Sequence, residues 1–222
     1  VRATDDLKSL SNKVKLATII GTIQSSLTKF PYLRKVWQKN TEEERLLGVS
    51  LTGIMDNPLL TTKNKGLAQM LDHLRHVAVD TNKEWAVRLG VQQSTAITCV
   101  KPSGTVSQLV DSASGIHARH SPYYYRTVRG DNKDPITQFM KDQGIPSELC
   151  VGKPHTTTVF TFPVAAPKNA VTRDDMTAIE QLEMWLTYQR HWCEHKPSVT
   201  ISVTDDEWLE VGAFVYKNFD EM

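Results

Sequence analysis

Between Thr98 and Ser107 the sequence runs T-C-V-K-P-S-G-T-V-S: a short apolar strand, a tight turn of small residues and the opening of a helix. A strand-turn-helix passage leaves several backbone N–H groups without partners and aims them one way, at the positive end of a helix dipole. Such a place suits a phosphate group. Ser103, Thr105 and Ser107 offer hydroxyl donors, and Gly104 lets a ligand approach the backbone closely. A plain strand-to-helix connection fits the same residues. The run is not a Walker A loop, because the glycine spacing and the Lys-Ser/Thr ending are missing and Lys101 precedes the turn.

Other residues invite chemistry less strongly. Cys99 lies just ahead of the turn; a reactive thiol needs an electropositive, partly exposed setting, whereas a cysteine in an apolar strand reads as a small core residue. His191 and His195 stand four apart in H-W-C-E-H, the spacing of a zinc pair on one helix face. Two ligands do not make a site, no glutamate follows His191 at the metalloprotease spacing, and Pro197 frays the helix, so no metal site is expected. His117, Arg119, His120, Arg126 and Arg129 surround Tyr123–Tyr125. They either hold a nucleotide by stacking and by arginine–phosphate contacts or form a strand with a charged outer face. Thr41 with Glu42, Glu43 and Glu44 reads as a helix start.

Periodicity supplies the elements that must position these groups. Leu7, Leu10, Val14, Ala17, Ile20 and Ile23 predict a helix over 5–27, and a shorter one follows Pro31 through Trp37. Leu46–Leu51 reads as a buried strand, Leu67–Trp85 as a long helix, and Ala96–Val100 as the strand before the turn. Tyr123–Val128, Thr156–Phe162 and Ser198–Val203 are further strands, with Pro135 at the first turn of a helix that Gly144 ends. Thr172 with Asp175, and Thr204 with Glu207, mark the starts of two last helices; Trp208, Val211, Val215 and Phe219 give the second its apolar stripe. Helices alternate with about five strands, which predicts an α/β architecture with a mostly parallel sheet and helices packed outside it.

Composition narrows the classes. The 222 residues, 40% apolar and 23% charged, are those of an ordinary globular chain, read as a single domain over 1–222. A formal net charge of +1 with no basic stripe argues against direct nucleic-acid binding. No apolar run approaches the ~20 residues of a membrane span. Three widely spaced cysteines and no C-x-x-C point to a reducing, cytoplasmic setting. A first residue of Val1, with a helix pattern close behind it and another running up to Phe219, gives the expectation of a piece of something longer.

Together these segments resemble a known family. T-A-I-T-C-V-K-P-S-G-T-V-S from Thr95, followed by D-S-A-S-G-I-H-A-R-H-S-P-Y-Y-Y-R-T-V-R, is similar to the cobalamin-dependent ribonucleotide reductases, and among them to the monomeric ribonucleoside-triphosphate branch. E-E-E-R-L-L-G-V-S-L-T-G-I from Glu42 and Q-R-H-W-C-E-H-K-P-S-V-T-I-S from Gln189 fit the same branch in the same order. The resemblance covers essentially the whole chain. It implies a ten-stranded α/β barrel of two half-barrels threaded by a finger loop, of which this chain would be about half.

The resemblance also places the substrate's phosphates on Pro102, Ser103, Gly104, Thr105 and Val106, where the orphan amides point independently. It implies adenosylcobalamin as cofactor, with no contact residues assigned. It implies too a thiyl radical that abstracts the ribose 3′-hydrogen, loss of the 2′-hydroxyl as water, and electrons from a cysteine pair recharged by a thioredoxin-type reductant. The family's N-P-C-x-E-like radical motif does not occur here, and none of the three cysteines holds a matching position. The expectation is therefore a segment or split subunit of a ribonucleoside-triphosphate reductase, inactive without a complementary chain carrying the finger loop and redox cysteines. A stand-alone nucleotide-binding or regulatory module is the alternative. An inert remnant with two unpaired sheet edges is a third reading.

Overall fold

In the computed structural model, which describes residues 1–222, helix α1 (Leu7–Gln24) starts where Asp6 caps it, accepting the Ser9 N–H at 2.7 Å. Helix α2 (Lys35–Glu44) follows, and Thr41–Glu44 form its end instead of a helix start; Arg45 closes it in the left-handed region at φ 46°. Strand β1 is Val49–Ser50, α3 is Leu67–Leu89, and β2 is Thr98–Cys99. The single turn α4 (Val106–Leu109) comes after the candidate phosphate turn. Strand β3 (Tyr123–Asp131), helix α5 (Pro135–Asp142), and strands β4 (Ser147–Leu149) and β5 (Thr157–Ala165) come next. Helices α6 (Ala178–His191) and α7 (Trp208–Lys217) complete the order.

Where one domain over 1–222 was expected, the residues gather into two compact units: Val1–Arg119 with Asn169–Met222, and His120–Lys168. The architecture is α/β, but parallel pairing is confined to β1 and β2, in register Val49↔Thr98 and Ser50↔Cys99. The larger sheet is antiparallel, in the order β3-β5-β4. This corrects the mostly parallel expectation. The strands β3 and β5 are long and alternate regularly, and they return on each other from Tyr123↔Ala165 to Asp131↔Thr157. Ser198–Val203 is no strand; it gives one backbone-to-backbone bond, Ser198 N–H to the Val100 carbonyl at 3.0 Å, and then runs on irregularly.

In the first unit the apolar faces of α1, α3 and α6 close over the β1–β2 pair. Leu10, Val14, Leu71, Leu74, Met184, Tyr188 and Trp192 are all buried there. The Tyr188 hydroxyl is satisfied by the Leu60 carbonyl at 2.7 Å, as a buried phenol requires. In the second unit Phe160 and Thr158 of β5 turn inward. A Cβ on Gly130 would strike the Thr137 hydroxyl and come within 3.3 Å of Phe160, so only glycine lets α5 lie this close to β3.

The outer side of β2 has no neighbouring strand, and the segment after α6 takes that place. Glu194 N–H donates to the Thr98 carbonyl at 2.9 Å, and the Trp192 indole N–H donates to Cys99 at 2.8 Å. The Glu194 carboxylate accepts the Ile97 and Thr98 amides at 2.6 and 3.1 Å. Burial pushes the Glu194 carboxyl up, but those two amides and Arg75 outweigh it and leave it below the ordinary value. A carboxylate with a depressed pKa stabilises the fold when ionised, and the contribution is lost as pH falls through the folded value. Glu194→Ala, which strands both amides, is expected to cost about 2–4 kcal/mol near neutral pH in urea unfolding. The gap to the parent should narrow as pH falls through the depressed folded value of the parent's carboxylate; a gap independent of pH would contradict this role.

Candidate functional site

Because β1 and β2 are parallel, both release their chains at the same end, where α/β proteins collect ligand-binding loops. Leu51–Gly53 follows β1 and Val100–Thr105 follows β2, and Asp111–Gly115 returns to the same place after α4. Gly53 N–H donates to the Ala113 carbonyl at 2.7 Å, and Ile54 N–H donates to Gly115 at 3.3 Å. Gly53 sits at φ 77°, and a Cβ there would lie 2.9 Å from that of Ser112, so the position admits only glycine.

Beneath these loops lies a buried ion pair. Arg119 donates through Nε and Nη2 to the two Asp56 carboxylate oxygens at 2.8 and 2.7 Å, and Ala113 N–H adds a third bond at 2.7 Å. Asp56 is 1% exposed and Arg119 4%. A two-pronged guanidinium–carboxylate pair fixes geometry as well as charge. Arg119 also joins the Val171 carbonyl and the Arg173 amide, which ties the loop to the returning chain.

Pro102, Gly104, Thr105 and Val106 are exposed and Ser103 is half-buried. Ser107 and Gln108 donate back to the Ser103 and Thr105 carbonyls, both at 3.0 Å, which closes α4 after one turn. The amides of Ser103, Thr105 and Val106 donate to no protein acceptor. The predicted hydroxyls divide differently. Ser107 is buried and donates to the Ser103 carbonyl. Ser103 Oγ lies 2.6 Å from Thr52 Oγ1 and accepts the Gly115 amide at 2.8 Å. Thr105 alone keeps an outward-facing hydroxyl. Because α4 is so short, the amides themselves, more than any helix dipole, make the turn electropositive.

The remaining candidates resolve into structural roles. Arg119 is committed to Asp56 and belongs to the first unit with His117, whose Nδ1 meets the Ser114 carbonyl at 2.9 Å. His120, Arg126, Arg129 and the tyrosines belong to the second unit, where Tyr123 and Tyr125 are exposed along the edge strand β3. The charged-face reading fits that arrangement. Helix α6 ends at His191, which pairs with Asp72 at 3.0 Å, so His191 and His195 share no helix face. Thr52, Asp56, Ser112–Gly115 and Glu194 were missed as site-building residues. Apart from the contacts of Ser114 and Gly115 with Ser103, the partners that build the site lie 50 to 100 positions away in sequence, and only Gly53 beside Thr52 hinted at a special turn.

No protein-family model matches the chain. It is similar to the adenosylcobalamin-dependent ribonucleoside-triphosphate reductase of Euglena gracilis, 32% identical over 175 residues, which is 75% of this chain and 23% of that protein. The enzyme of the same description from Lactobacillus gasseri is 26% identical over 219 residues, 86% of this chain and 29% of its own length. The crystal structure of a B-12-dependent (class II) ribonucleotide reductase superposes with a TM-score of 0.80 at 23% identity, over 97% of this chain and 33% of that one. The chain thus spans between 23% and 29% of the length of these two relatives.

All three cysteines are free and buried. Burial pushes the Cys99 thiol up, and pushes Cys193 up to about 12. Both thiols are therefore protonated at neutral pH and shielded, so neither is a nucleophile. Cys99 and Cys193 are expected to resist alkylation in the native chain at about pH 8 and to react fully in denaturant. Rapid native labelling of either, read by mass spectrometry, would contradict the inert assignment.

Proposed function

We propose that this chain, related over most of its length to one segment of the adenosylcobalamin-dependent ribonucleotide reductases, supplies the wall of the catalytic barrel that holds the substrate's phosphates. Pro102, Ser103, Gly104, Thr105 and Val106 form the cradle, and the substrate class is a ribonucleoside triphosphate. The observation that carries this reading is the set of exposed amides at Ser103, Thr105 and Val106 with no protein acceptor, at the carboxyl ends of two parallel strands. An anion placed there would satisfy donors that the fold leaves open. Ser103 and Val106 would act through their amides, Thr105 through amide and hydroxyl, Pro102 by setting the entry angle, and Gly104 by allowing close approach.

The reduction itself belongs to the assembled enzyme. Adenosylcobalamin, when bound there, supplies the radical chemistry. The Cys99 and Cys193 thiols are buried and protonated, and no cluster of three His, Cys, Asp or Glu side chains is poised to ligate a metal ion. The chain's own part is to bind and orient the triphosphate tail so that the ribose is presented to a complementary polypeptide carrying the finger loop and redox cysteines.

Several features support such a partner, with this chain as about half of the barrel. Strand β1 has no neighbour on its outer edge. A cavity of about 370 Å³ opens beside it, lined by Ala17, Ile20, Gly21 and Gln24 of α1 and by Gly48–Ser50. Leu16 and Ile20 on α1 are 61% and 65% exposed, and α7 buries none of its residues although Trp208 and Leu209 are apolar. Apolar helix faces and open strand edges of this kind are normally covered. No helix is long and apolar enough to cross a membrane, and free buried thiols suit the reducing cytoplasm.

Two measurements test the reading. Co-expression with a chain carrying the finger loop should restore deoxyribonucleotide formation, and no turnover from the correctly assembled pair would overturn it. In the assembled enzyme Thr105→Val should weaken nucleoside triphosphate binding by about 1–3 kcal/mol, the worth of a charge-assisted hydrogen bond. Unchanged affinity would remove Thr105 from the cradle.

A further inference from the structure

Thr52 lies outside the phosphate turn, yet its hydroxyl is the point at which the three loops meet. Thr52 Oγ1 is 3.0 Å from the Ala113 carbonyl, 2.9 Å from the Gly115 amide and 2.6 Å from Ser103 Oγ. A carbonyl can only accept, so the one Thr52 proton goes to Ala113. The Ser103 hydroxyl must then donate to Thr52, because two oxygens 2.6 Å apart share a proton. Gly115 N–H adds 2.8 Å and 2.9 Å contacts to Ser103 and Thr52, and Ser114 Oγ lies 3.3 Å from Ser103. The Ser103 hydroxyl proton is therefore used inside the protein and is not offered to a ligand.

We infer that Thr52 is a positioning residue for the phosphate turn. It holds Ser103 through the hydroxyl pair, and so sets where the amides of Ser103, Thr105 and Val106 stand, without touching the anion itself. The inference rests on the reading of Pro102–Val106 as the phosphate cradle. It assigns the Ser103 side chain to the scaffold and leaves Thr105 as the hydroxyl that meets phosphate. It also explains why a threonine at this position cannot be traded for its isostere valine: the methyl group would fill the space but take the acceptor from the Ser103 proton and leave the Gly115 amide with Ser103 alone. Serine would keep both bonds.

The test titrates the full chain with inorganic tripolyphosphate and follows the backbone amide resonances of Ser103, Thr105 and Val106 by NMR. In the parent these resonances should shift saturably. Thr52→Val should weaken the apparent affinity roughly tenfold, equivalent to about 1.4 kcal/mol, while Thr52→Ser stays within about twofold of the parent. Ser103→Ala removes the same hydroxyl pair from the other side, keeps the Ser103 amide, and should match Thr52→Val; it decides the question should Thr52→Val fail to fold. A parent that binds while Thr52→Val and Ser103→Ala bind equally well overturns the positioning role alone. A parent whose turn amides do not respond overturns the cradle reading, and the positioning role with it.

Discussion

The demand that buried backbone groups find partners organises the first unit. Strands β1 and β2 are only two residues each, far too short to form a stable sheet by themselves. What makes them a platform is the segment after α6. Glu194 and Trp192 answer the amides and carbonyls of Ile97, Thr98 and Cys99 from the side where a third strand would lie. One side of the pair is thereby closed and the other, along β1, is left open. Of the two unpaired edges expected for half a barrel, one is already covered by the chain itself.

From that platform the loops at the carboxyl ends inherit their rigidity. Asp56 and Arg119 are too buried to be tolerated singly; breaking such a pair leaves an uncompensated charge in the interior. Their bond to Ala113 carries the constraint to the loop that Thr52 and Ser103 share. The turn at Ser103–Val106 is thus held from behind by side chains while the amides of Ser103, Thr105 and Val106 donate to no protein acceptor. A fixed donor array suits an anion because the fold bears the ordering cost before the ligand arrives.

How much of this was legible depended on the distance between partners. Strand β5 could be read because its alternation is local. The turn at Pro102–Val106 could be read for the same reason. The start of α6 was read early, at Thr172 with Asp175, because that pair is itself a capping box; it opens only the short turn Arg173–Asp175, and a second box, Thr177 with Glu180, opens the helix. Ser198–Val203 misled because β-branched residues favour extended backbone whether or not a ladder forms, and here only Ser198 makes a backbone-to-backbone bond. Arg119 looked like a ligand-binding arginine because Asp56 lies 63 residues away. The parallel sheet was overestimated because alternation of helix and strand does not reveal that Tyr123–Asp131 and Thr157–Ala165 pair with each other in antiparallel fashion. The resemblance to the reductases rests on whole segments, while the hydrogen bonds that divide Thr52, Ser103, Thr105 and Ser107 between scaffold and surface are visible only in the fold.

The central claim is that the turn after β2 receives the anionic tail of a nucleotide. A crystal structure of this chain assembled with its complementary chain and a ribonucleoside triphosphate tests it most directly. The account predicts phosphate oxygens within about 2.7–3.2 Å of the Thr105 and Val106 amides, with the Thr52–Ser103 hydroxyl pair intact behind them. A triphosphate seated elsewhere, with those amides turned to solvent, would contradict it.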